Sequence, residues 1–173
     1  MGRNGVSQES EVTLDYDVNG IAVHKKIEKQ LFGAKATACV GKHAVRDQAA
    51  NYQDLWWNAA ESGWGLNLAH QGDVLFGTLF TYADHGRGMW VVMSDGRLQA
   101  DGSYLGDLYR TTGSPFNAQP YVRTLPADIT RVGTMRLSFT SGESGTLAYT
   151  LDGIAVTKAI SRQRFGLSVA HCD

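Results

Sequence analysis

The sequence is short of proline, of cysteine and of surplus charge, and each shortage closes off a class of protein. Sixteen Lys and Arg stand against 17 Asp and Glu, a formal net charge of −1. Without a basic excess there is little to release counterions from phosphates, so nucleic acid is not expected as a partner. A polybasic face for anionic lipid is missing on the same count. The longest apolar runs, such as Val74 to Phe80, are far too short for a membrane-spanning helix, so no membrane partner is expected either. Two cysteines in 173 residues rule out a disulfide-dense scaffold. The opening stretch MGRNGVSQES has no hydrophobic segment of signal-peptide type, so the chain reads as lacking a signal peptide.

Catalytic and cofactor signatures are scarce as well. There is no G-x-S-x-G elbow and no Gly-rich phosphate loop. The five histidines, His24, His43, His70, His85 and His171, show no metal-ligand spacing with cysteines or carboxylates. Glu61 and Asp84, with His85 beside the latter, are the nearest thing to an acid–base set, and nothing in the sequence brings them together. We therefore expect no metal, no cofactor and no enzyme.

What is abundant is glycine, with 20 residues, alongside seven tyrosines and four tryptophans. That mixture suits many short strands joined by tight turns. The strongest pattern is a duplication. Residues 13–33 read TLDYDVNGIAVHKKIEKQLFG and residues 146–166 read TLAYTLDGIAVTKAISRQRFG, with 12 identities in 21 at an offset of 133 positions. Cys39 falls on Cys172 under the same offset. Self-similarity of this kind marks a repeat architecture. Nothing before residue 13 matches Leu55 to Phe139, so the first copy reads as the tail of a preceding unit. The expected organisation is an orphan hairpin at 1–33, a connector at 34–53 forming a loop or short helix, and a complete unit at 54–173.

Each copy of the duplicated segment alternates apolar and polar residues around Asn19-Gly20 or Asp152-Gly153, the signature of a β-hairpin with a type I′ turn. The same alternation predicts strands at Leu55–Asn58, Trp64–His70, Val74–Tyr82, Met89–Met93, Ser103–Arg110 and Arg131–Phe139. Breaks are expected at Gln71–Asp73, Ala83–Gly88, Ser94–Gly96 and Ser141–Gly145. About eight antiparallel strands in sequential hairpins hide their edges best as a closed up-and-down barrel, with a β-sandwich as the alternative. An eight-stranded barrel has room for packed side chains or one small ligand. Thr111 to Asp128, which holds all three prolines, reads as a long loop of the kind that often carries function.

The densest chemistry lies in LWWNAAESGWG, residues 55–65. Tryptophans flanked by Asn58 and Glu61 suit a sugar or another amphipathic ligand, while the same residues also suit a plugged barrel end and a turn. Adjacent Trp56 and Trp57 must face opposite sides of a strand. Candidate ligand-binding residues are Trp56, Trp57, Asn58, Glu61, Trp64, Trp90, Tyr104 and Lys158. Lys158 repeats Lys25 and shares a strand face with Val156 and Ile160, which makes it an anchor for a ligand inside the barrel, a guard against edge pairing, or a snorkelling rim residue. For Cys39 and Cys172 three states are open: a bridge closing the unit, an intermolecular bond, or free thiols.

The run WWNAAESGWGLNLAHQGDVLFGTLFTYADHGRGMW, followed by GDLYRTTGSPF and GTMRLSF, resembles a repeat module of secreted or surface proteins of proteobacteria. That module reads W-W-N-P-x-E-S-G-x-G, with a later F-x-Y-D-x-x-G turn. The resemblance spans roughly Leu55 to Phe165, with Ala59 in place of the proline and His85 in the turn. It implies a repeat architecture and a location outside the cytoplasm, and supplies no catalytic residue. The function expected is a non-catalytic binding module for a carbohydrate or small amphipathic ligand. The alternative is a structural or assembly module that forms a homodimer through its N-terminal hairpin.

Overall fold

Alternation of apolar and polar residues produces strands wherever a turn signal brackets it. A computed structural model describes residues 12–33, 39–43, 51–165 and 169–172, with the main chain alone for 39–43 and 169–172. The strands are β1 (Val12–Val18), β2 (Ile21–Ile27), β3 (Cys39–His43), β4 (Asp54–Trp57), β5 (Gly65–Gln71) and β6 (Val74–Tyr82). There follow β7 (Gly88–Leu98), β8 (Tyr104–Thr111), β9 (Ile129–Phe139), β10 (Ser144–Leu151), β11 (Ile154–Arg162) and β12 (Val169–Cys172). Strands β4 to β11 form a closed antiparallel barrel, each paired with its neighbour in sequence, and β11 returns to β4 to shut it. Closure leaves these eight strands no free edge.

The barrel is filled rather than hollow along most of its length. Leu66, Leu68, Leu75, Leu79, Val91, Met93, Leu108, Met135, Leu137 and Leu147 point inward and are almost wholly buried. Each such side chain stabilises the fold by roughly 1.5–3 kcal/mol. One end carries the loops 58–64, 83–87 and 112–128 and the Asp152-Gly153 turn. The opposite end carries the short turns after β5, β7 and β9.

Two expectations about local structure are corrected. Ser94–Gly96, read as a turn, lies inside β7, where Gly96 still faces Leu75. Register shifts between Leu75 and Gly77, and between Val92 and Arg97, absorb the extra residues as bulges. Bulges and turns draw on the same small residues, which is why the two were confused. The turn itself comes at Gln99–Gly102, with Gly102 in the left-handed region. The connector holds a strand, β3, where a loop or helix was expected; β3 pairs antiparallel with β12 and sets Cys39 opposite Cys172.

The two hairpins of the duplication are built alike. In β1–β2 Tyr16 faces Val23 and Leu14 faces Lys25, while in β10–β11 Tyr149 faces Val156 and Leu147 faces Lys158. Both turn through a left-handed pair, Asn19-Gly20 with φ 52° and 78° and Asp152-Gly153 with φ 50° and 84°. Their surroundings differ. Leu147 and Ile160 lie in the barrel core at 0% and 3% exposure, whereas Leu14 and Ile27 are each 42% exposed. Strands β1 and β2 form a two-stranded sheet of their own.

Candidate functional site

Alternation along β4 sends Trp56 into the barrel, and there it joins a plug at one end. Tyr52 stacks on Phe139 with centroids 3.7 Å apart and on His70 at 5.7 Å, and Trp56 lies 4.9 Å from Phe139. The Trp56 Nε1–H donates to the Tyr52 carbonyl at 2.9 Å. Tyr52 N–H donates to His70 Nδ1 at 3.1 Å, while His70 Nε2 lies 2.8 Å from the Gly72 carbonyl and 3.1 Å from the Tyr104 hydroxyl. Burial lowers the His70 pKa and pushes the Tyr104 phenol up to about 12. Arg162, itself buried, lies over Trp56 at 5.1 Å and donates to the carbonyls of Gly142 and Asn51 at 2.7 and 2.8 Å. Trp56 and Tyr104 therefore close one end of the barrel and leave no ring face for a ligand.

At the other end the inward-facing rows change character. Two residues beyond Ile160, on the same side of β11, stands Lys158, and two beyond Leu147 on β10 stands Tyr149. Lys158 reaches the Glu61 carboxylate and sits over the Trp64 ring, 5.0 Å from its centroid. Trp64 Nε1–H donates to the same carboxylate at 3.2 Å. The hydrogen bond from Lys158 holds the Glu61 carboxyl below its ordinary range. Burial raises the Tyr149 phenol. Beside this cluster a cavity of about 230 Å³ opens at the barrel mouth, walled by Thr81, Tyr82, Met89, Arg110, Tyr149 and Val156 among others. Arg110 pairs there with Asp152 at 2.6 Å.

The geometry thus unites Glu61, Trp64 and Lys158 and separates the other candidates. Asn58 shapes its turn, accepting from the Ala60 N–H through its side chain and from the Glu61 N–H through its carbonyl. Trp57 and Trp90 belong to the outer surface. Phe80 faces Gly65 on β5 and Trp90 on β7, and both rings are half exposed. Continuing the β4–β5 register by one residue places Trp57 opposite Gly65 in the same row. The long loop has a site of its own, since Phe116 to Tyr121 and Ala22 to Lys26 of β2 wall a second cavity of about 700 Å³. Tyr16 lies 6.4 Å from Phe116 across the junction of hairpin and loop. Asp84 lines the mouth, but neither Glu61 nor His85 does.

No match is found for this chain among protein-family models, curated proteins or solved structures. Its site must be read from geometry alone. Sequence reasoning missed Tyr149 and Arg110, although Tyr149 stands two residues from Leu147 within the duplicated segment. That spacing on one strand face was the available signal. Tyr82 had none, because it belongs by alternation to the outer side of β6 and reaches the rim only where its ring meets Gly63.

Proposed function

We propose that the chain is a non-catalytic binding module that holds a small carbohydrate or similar amphipathic molecule in the open mouth of its barrel. The observation that carries this reading is the change along the inward rows, from aliphatic residues to Tyr149 and Arg110 around a cavity, with the Lys158, Trp64 and Glu61 cluster beside it. Ring faces with a few convergent polar groups are what a hydroxyl-rich ligand requires. Both cations are matched by carboxylates, Lys158 by Glu61 and Arg110 by Asp152. An anion would have to displace those partners, whereas a neutral polyol finds donors and acceptors already oriented. At about 230 Å³ the mouth is smaller than a pocket for a drug-sized molecule, which fits one sugar ring better than a chain buried whole. Titrating a glycan and metabolite panel against tryptophan fluorescence tests the reading. A saturable change that disappears in Trp64→Phe supports it, and no response across the panel counts against it.

A second reading is favoured by one observation, the exposure of Leu14 and Ile27 where their duplicates are buried. A two-stranded hairpin whose apolar face is covered only around Val23 and Tyr16, beside Phe116, is marginal by itself. The hairpin then serves assembly, adding its strands to a second chain. Light scattering with and without residues 1–33 tests this, since a monomer in both forms would eliminate it.

A further inference from the structure

The segment that leaves the first hairpin is seated on the barrel by a small, specific set of contacts. Gln71, a 4% exposed side chain at the end of β5, accepts the N–H groups of Phe32 and Gly33 through Oε1, at 3.1 and 3.2 Å. Its Nε2 donates to the Gln30 carbonyl at 3.0 Å. Phe32 packs on Phe76 of β6, ring centroids 5.9 Å apart. Position 33 admits glycine alone, because a Cβ there would come within 2.5 Å of the Gln71 carbonyl oxygen. One side-chain amide thus takes three main-chain groups of the segment, an aromatic pair fixes its neighbour, and the next residue fits only without a side chain.

Every element of this seated segment is duplicated by the offset of 133. Gln30, Phe32 and Gly33 recur as Gln163, Phe165 and Gly166 at the exit of the second hairpin. The second Phe is left open: Phe165 is 72% exposed. It cannot use the barrel to which its own hairpin belongs, since Gln163 N–H donates to Leu55 O and continues the β11–β4 pairing, while the Gln71–Phe76 seat is filled by Phe32.

We infer that Gln163 to Phe165 is a latch for the Gln71–Phe76 seat of another barrel unit of this kind, so that units join head to tail through hairpin exits. The partner is a second copy of the barrel whose seat no exit segment of its own chain occupies, recognised by one buried amide and one ring. Such a contact is heterologous, so it builds a ring or an open string of units rather than a symmetric pair. It differs in place and partner from strand addition by the N-terminal hairpin, and it does not depend on the ligand at the barrel mouth.

A full-length chain carrying Phe32→Ala and Gly33→Ala empties the seat. The probe is the synthetic peptide Ile-Ser-Arg-Gln-Arg-Phe-Gly, added to millimolar concentration and followed through the Gln71 side-chain amide resonances. We expect a saturable shift at Gln71 in the double variant. The expected response of the unsubstituted chain, whose seat is filled, is at least tenfold weaker. With Ala in place of the peptide's Phe, the shift should be lost. No shift at Gln71 in a double variant whose barrel resonances are unchanged overturns the inference. An equal shift with the Ala peptide, or with the unsubstituted chain, overturns it too. If the double variant loses its barrel dispersion, Gly33→Ala alone is titrated and judged by the same outcomes.

Discussion

The duplication offers a comparison that few proteins provide, one leucine in two settings. Leu147 and Leu14 hold the same place in the same hairpin register, opposite Lys158 and Lys25. Leu147 has no exposed surface and packs in the barrel core, whereas Leu14 keeps 42% of its own. Truncating a fully buried leucine to alanine removes its transfer energy and leaves a cavity, at a cost of about 2–5 kcal/mol. Leu14→Ala removes only part of a transfer term and leaves no enclosed cavity, so its cost should be about 1 kcal/mol or less. All four tryptophans lie in the barrel, and urea unfolding followed by their fluorescence therefore reports on that unit. With a slope of about 2 kcal/mol per molar urea, Leu147→Ala should lower the midpoint by about 1.5 M and Leu14→Ala by less than about 0.5 M. Equal losses at low protein concentration would refute the claim that Leu14 stands on a part of the first hairpin that the barrel leaves open. A Leu14→Ala cost that grows with concentration would favour assembly through that face, because association stabilises by mass action.

Three further outcomes follow from the plug and the cysteines. The His70 pKa is lowered by burial, and its Nδ1 accepts from the Tyr52 N–H, so the folded ring is neutral. The unfolded chain takes up the proton first as pH falls below about 6.5, and stability then declines until the folded ring protonates too. His70→Gln should flatten the fall in urea midpoint as pH drops below about 6.5; a slope like that of the unsubstituted chain would remove His70 from this role. Arg162→Ala strands the Gly142 and Asn51 carbonyls and uncovers Trp56, and thermal unfolding should show a loss of about 3 kcal/mol. A loss below about 1 kcal/mol would show that water replaces the guanidinium freely. Directly opposed residues of antiparallel strands have Cα atoms about 4.5–5.5 Å apart, within disulfide range, so Cys39 and Cys172 should bridge when the chain is made in an oxidising compartment. Mass analysis without reductant should then find no free thiol and a mass lighter by two hydrogens. Two alkylated thiols would exclude the bridge.

The barrel was legible in the sequence because each of its strands is bracketed by a turn signal and alternates with period two. The connector strand β3 was not, since CVGKH shows no alternation and gains a partner only from β12, far along the chain. Ser94–Gly96 misled because the small residues that permit a turn also permit a bulge within β7. For the site, residue types were readable but placement was less so. Glu61 and Trp64 were readable as neighbours on one hairpin, whereas Lys158, distant from both in sequence, joins them only through the closure of the barrel. Trp56 and Tyr104 shared the aromatic character of a ligand site, and their burial was decided by which end of the barrel carries Tyr52 and Phe139. Seating of Phe32 on Phe76 was invisible for the same reason, since it depends on a long-range contact that no local pattern announces.

The most direct test of the proposed function is to locate a bound ligand by chemical-shift mapping. Whichever sugar or small amphipathic molecule changes the tryptophan fluorescence should be titrated into the labelled full-length chain. Binding in the barrel mouth predicts saturable shifts concentrated at Tyr82, Met89, Arg110 and Tyr149, which wall the cavity, with a smaller response at the neighbouring Trp64 and the Tyr52–Phe139 plug unmoved. Shifts confined to Phe116–Tyr121 and β2, or to Trp57, Phe80 and Trp90 on the outer face, would contradict the assignment of the site to the mouth.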